Sequence, residues 1–173
     1  MVFTSTTVTV TNAFCSPLAT TYNCAYQDNI NDFILVGESN TQINNVGTGC
    51  AAGGYDSRVS SSVTLFANTP YTAFVSSQYS SSEYLGIWID FNDNWVFEGT
   101  EQVATRLLNS TLRTPVTLTI PAIGSGAVVG SHRMRVVLSY GVTANACQTG
   151  VSYGETHDYT VNIIAYTGEW DSS

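Results

Sequence analysis

Apolar and polar residues alternate along most of this chain. The stretches Asn31–Gly37, Arg58–Ala67, Tyr71–Gln78, Tyr84–Phe91, Gln102–Leu108, Arg113–Ile120, His132–Tyr140 and His157–Ala165 each follow a period of two, which places successive side chains on opposite faces of a strand. Asn68-Thr69-Pro70, Gly124-Ser125-Gly126 and Ala144-Asn145 punctuate them, as turns require. No stretch of ten or more residues shows a convincing helical period. Many short strands joined by turns predict an all-β fold, an immunoglobulin-like or jelly-roll antiparallel β-sandwich. In His132–Tyr140, Met134, Val136 and Leu138 share one face while Arg133 and Arg135 share the other. The arginine face reads as solvated, or as holding one partly buried Arg paired with a carboxylate.

The opening MVFTSTTVTVTN is rich in β-branched residues and free of charge, so it also reads as a strand. The stretch after it, with Asn12, Pro17 and two cysteines, offers no hairpin partner. Ten extended residues reach about 33 Å. The segment either folds back onto its own sheet or adds to another copy, as in donor-strand exchange. Val2, Thr6, Val8 and Val10 share a parity that Phe3 does not. The expected organisation is an extension at residues 1–12, one sandwich over residues 13–166, and a tail at residues 167–173.

Charge narrows the function. The net charge is −8, lysine is absent, and the five basic residues are all arginine. Nucleic-acid binding, which needs a basic face, is not expected. No apolar run approaches a membrane span, and no cleavable leader is recognisable, as expected of a mature secreted chain. Without lysine, a Lys–Asn isopeptide cross-link is impossible. The cysteines Cys15, Cys24, Cys50 and Cys147 are even in number and form no CxxC, which predicts disulfides and an extracellular setting. Three pairings are open; a Cys24–Cys50 bridge alone is worth roughly 3–4 kcal/mol in the chain-entropy model. Asn109-Ser110-Thr111 is a lone glycosylation sequon.

The stretch IWIDFNDNWVFEGTEQV brings acidic and amide side chains together. Counted from Asp90 as one, oxygen donors fall at one, three, five, nine and twelve: Asp90, Asn92, Asn94, Glu98 and Glu101. This is the donor spacing of an EF-hand calcium loop, with Trp95 in place of the glycine at six and no flanking helices. The expectations are a Ca2+ site or a hairpin loop whose side chains cap their own backbone. Trp95, among amides and carboxylates, is also a candidate for stacking on a sugar ring.

Three stretches, IWIDFNDNWVFEGTEQV, SHRMRVV and ACQTGVSYGETHDYTVNI, together resemble the GEVED domain of secreted bacterial proteins over roughly residues 14–163. The name-giving motif falls on Gly154-Glu155-Thr156-His157-Asp158, with departures at His157, Trp95 and Val96. The resemblance implies an extracellular β-sandwich module. Glu155 and Asp158, three apart, point to opposite faces of the last strand, and a structural salt bridge with Arg133 or Arg135 is expected. Two histidines and no HExxH, GxSxG or phosphate loop argue against an enzyme. The expected function is a structural subunit that polymerises with copies of itself through its first strand. The alternative is a secreted glycan-binding or adhesion module.

Overall fold

The computed structural model describes residues 13–17, 24–149 and 151–166. Nine strands, β1 (Ile30–Val36), β2 (Gln42–Val46), β3 (Tyr55–Phe66), β4 (Pro70–Ser77), β5 (Glu83–Ile89), β6 (Gln102–Leu108), β7 (Thr114–Thr119), β8 (Gly130–Tyr140) and β9 (Gly154–Ile164), follow one another with two short 3-10 turns and no longer helix among the described residues. They form a four-stranded sheet, β2-β1-β4-β7, and a five-stranded sheet, β3-β9-β8-β5-β6. The alternation that predicts a strand also predicts which face is buried. Phe33 and Leu35 of β1, Ala73 and Val75 of β4, Leu85, Ile87 and Ile89 of β5, and Met134, Val136 and Leu138 of β8 meet in one core between the sheets.

Two features differ from the sequence expectation. The five-stranded sheet is mixed, because β3 and β9 pair in parallel, so the sandwich is not wholly antiparallel. Strands joined by a crossover of five intervening strands leave no local signal for that pairing. The strand β2 was also not expected. Its sequence QINNV buries only Ile43, too little alternation to stand out on a sheet edge.

The five-stranded sheet is covered on its outer face as well. Trp88, Phe97, Val137, Ala144 and Ala146 form a second buried cluster, with Phe14 packed against it. Segments 13–17, 91–101 and 141–149 thus make a partial third layer. This explains why β8 is buried on consecutive residues from Met134 to Ser139. Two disulfides fix this layer and the approach to β1: Cys15–Cys147 and Cys24–Cys50. Of the three pairings open in the sequence, this is the one adopted.

Candidate functional site

The last strand carries the densest set of polar contacts. Gly154 stands at its start with φ +146°, and a Cβ there would collide with the Leu138 carbonyl, so a side chain is excluded both by conformation and by space. Glu155 is fully buried on the inner face. Its Oε2 accepts the Ile30 N–H at 2.8 Å and its Oε1 accepts the Ala51 N–H at 2.6 Å. His157 Nε2 lies 3.3 Å from Glu155 Oε2, and its Nδ1 is 3.1 Å from the Tyr159 hydroxyl. Glu155 therefore ties β9 to the first residue of β1 in the opposite sheet and to the loop before β3. Of the two carboxylates, Glu155 is the one that meets no arginine: both arginines lie on the other face of the sheet, with Asp158, as period two demands.

Asp158 faces that side. Arg135 stands directly opposite it across the β8–β9 ladder and binds it in bidentate fashion, Nε to Oδ1 at 2.7 Å and Nη2 to Oδ2 at 2.8 Å. Arg133 Nη1 adds a third donor at 3.2 Å, and the Tyr55 hydroxyl donates at 2.9 Å. Burial, and then the Asp158 charge, raise the Tyr55 phenol above its ordinary value. The remaining nitrogen of Arg135 donates to the carbonyls of Cys15 and Ala146, both at 2.9 Å, and the guanidinium lies 4.8 Å from the Phe97 ring centroid. Arg135 is thus not solvated but buried under the third layer, which it holds down, whereas Arg133 keeps 26% of its side chain exposed. Such a pair fixes geometry; breaking it by removing one partner leaves a stranded charge.

In the acidic loop the side chains turn back on the backbone. Asp90 accepts the N–H groups of Asn94 and Trp95, Asn92 accepts that of Asn94, and Asn94 accepts that of Val96. Asp93 and Trp95 adopt positive φ, 54° and 72°, so Trp95 takes the left-handed conformation that a glycine usually supplies. Glu101 accepts the Phe91 N–H at 3.0 Å and the Glu98 N–H at 3.1 Å. Burial, and then Glu98, push the Glu101 carboxyl up to about 7; burial likewise raises Asp90. Among the described residues, no group of three or more His, Cys, Asp or Glu side chains is gathered for a metal.

Trp95 is 40% exposed and packs 5.1 Å from Phe14, ring centroid to centroid. Arg133 lies over the Phe14 ring, 4.9 Å from its centroid. With Asp93 and His132, which are joined by a 3.1 Å contact, these residues line an open cleft of about 310 Å³. The contribution of Phe14 was not visible in the sequence, because nothing local links residue 14 to the loop at residue 95. Asn109 is exposed and accepts the Ser82 N–H at 2.9 Å. The assembly-strand residues Val2, Phe3, Thr6, Val8 and Val10 lie outside the described residues.

Fold, disulfides and the buried carboxylate clamps define a disulfide-bonded β-sandwich module. Residues 84–162 match the family model of the GEVED domain. The match runs from β5 into β9, so each sheet combines strands from inside and outside it. No curated protein matches the chain. Two disulfides are consistent with an extracellular protein, as is the GEVED domain. No described helix is long and apolar enough to cross a membrane.

Proposed function

We propose that this chain is a non-enzymatic, extracellular structural module that polymerises by adding its opening strand to an open sheet edge of another copy. The observation that carries this reading is the pinned exit point of the opening segment. Phe14 is gripped by Trp95, Phe97 and Arg133, and Cys15 is bonded to Cys147, while Ala13 is exposed. The twelve residues before it carry no charged side chain and are mostly β-branched, a composition suited to pairing along an edge. Main-chain hydrogen bonds would supply the affinity and alternate side chains the register. A head-to-tail contact of this kind need not close, and it then yields a filament.

The acceptor is narrowed by what covers each edge. Among the described residues, β2, β7, β3 and β6 each pair on one side only. The far half of β3 is capped by the β1–β2 turn, where the Glu38 N–H donates to Thr64 and the Thr64 N–H donates to Thr41. Pro115 interrupts β7, which suits an edge protected from pairing. The strand β2 has five residues. That leaves β6, with Thr105, Arg106 and Leu107 exposed. Negative-stain microscopy and sedimentation of the full chain and of a deletion of residues 2–11 test the proposal. The full chain should form filaments, the deletion should give monomers, and a synthetic peptide of residues 2–11 should bind the deleted chain. Filaments from the deleted chain would refute it.

The open Trp95–Phe14 cleft favours a second reading, a glycan-binding or adhesion module. An aromatic face rimmed by amide and charged groups suits a sugar ring. Retention on immobilised glycans, lost in Trp95→Ala with the melting temperature unchanged, would support it.

A further inference from the structure

A second cavity, of about 300 Å³, opens at one end of the sandwich, remote in sequence from the acidic loop. It is lined by Tyr26, Tyr79, Tyr140, Tyr153 and Asp28. The tyrosines come from the approach to β1, the β4–β5 turn, the end of β8 and the approach to β9. Their rings meet at right angles: Tyr26 and Tyr153 at 88°, Tyr79 and Tyr140 at 86°, Tyr140 and Tyr153 at 87°, with centroids 5.4–6.0 Å apart. Backbone hydrogen bonds from Tyr140 N–H to Tyr153 and from Gly141 N–H to Ser82 hold these segments together.

Behind the tyrosines stands a carboxylate with no evident purpose in the fold. Glu83 is the first residue of β5 and lies directly opposite Tyr140 on β8, so the two side chains share a face. It is fully buried, and neither oxygen has a hydrogen-bond partner in the protein. The carboxyl of Asp28 acts on it directly and is itself only 3% exposed. Two carboxyl groups with no arginine between them are costly to bury. Aromatic walls above a negative base are the arrangement that attracts an organic cation, whose charge meets the ring quadrupoles and whose methyl groups fill apolar space.

We propose that this cavity binds a methylated ammonium group, held by the four tyrosines with Asp28, backed by the Glu83 carboxyl, supplying the counter-charge. Crossed rings do not present the flat platform on which a sugar stacks. A bare metal ion wants six or more converging oxygens, and the described residues hold no such cluster. A methylated ammonium needs neither.

Calorimetric titration of the intact, disulfide-bonded chain with choline tests the proposal. The neutral isostere 3,3-dimethylbutan-1-ol and sodium chloride serve as controls. Choline should bind saturably, and the two controls should fail to displace it. Tyr140→Ala and Asp28→Asn should each weaken binding about tenfold or more, while Trp95→Ala leaves it unchanged. Because Tyr140→Ala could loosen the cavity, Tyr140→Phe, which keeps the ring face, should retain binding. Co-sedimentation with phosphatidylcholine vesicles distinguishes a free ligand from a lipid headgroup; either source carries the proposal once choline binds. Equal binding of the neutral isostere, displacement by sodium, or no saturable choline binding would overturn it.

Discussion

Replacing Glu83 by glutamine tests whether a buried carboxyl is held neutral at a cost to the fold. Burial comes first among the causes, and the neighbouring Asp28 carboxyl second; together they push Glu83 up to about 9 against an ordinary value of 4.5. The nearby Ser77 hydroxyl counters that burial only in part. Between the two values the folded chain keeps a proton that the unfolded chain releases. Stability from this group is therefore fully present below about pH 4.5 and is lost as the pH rises toward 9. The slope is at most about 1.4 kcal/mol per pH unit, so from about pH 5 to pH 8 the loss reaches up to about 4 kcal/mol. Glutamine has the same shape and does not ionise. Urea unfolding of both proteins across this range, with disulfides intact, gives the difference directly. The variant should gain on the parent with each step in pH. Stability curves that stay parallel from about pH 5 to pH 8 would refute the reasoning.

Other outcomes follow from the same structure. Asp158→Asn should cost about 3–5 kcal/mol by stranding the buried Arg135 charge, measured by urea unfolding; an Arg135→Met, Asp158→Leu double variant should recover much of the loss. Gly154→Ala should lower the melting temperature sharply, because its Cβ meets the Leu138 carbonyl. Removing the Cys15–Cys147 bridge with serines should cost about 5 kcal/mol in the chain-entropy model, given its separation of 132 residues, and should expose Phe14 and Trp95 to fluorescence quenchers. A calcium ion seated in the acidic loop would raise the melting temperature in millimolar calcium, and Glu101→Gln would abolish the rise; no response to calcium or chelator ends that reading.

Strands announced themselves where one face is buried and the other is not. The bounds of β6 agree with the alternation at both ends, and those of β1, β4, β5 and β7 within a residue or two. Where burial is sparse, as in the Asn-rich β2, the signal vanishes. Parity alone placed Glu155 and Asp158 on opposite faces, and that holds. It could not say that the face bearing Arg135 is roofed by a third layer, since the roof comes from residues 13–17, 91–101 and 141–149. The tyrosine cavity was illegible for the same reason. Tyr26, Tyr79, Tyr140 and Tyr153 lie in four separate segments, and only the closure of both sheets brings them together. Glu83, beside a run of serines, reads in sequence as the polar edge of a turn.

The cross-link near the front of the chain sets how the molecule would respond to being pulled. Tension applied ahead of Ala13 enters at Cys15 and crosses to Cys147 through a covalent bond, a few residues before β9. The 131 residues in between are bypassed by that load. Only β9, held between β3 and β8, stays in the line of that load, so stretching would act on β9 first, and the β1–β8 portion could not be drawn out to its full length without breaking the sulfur–sulfur bond.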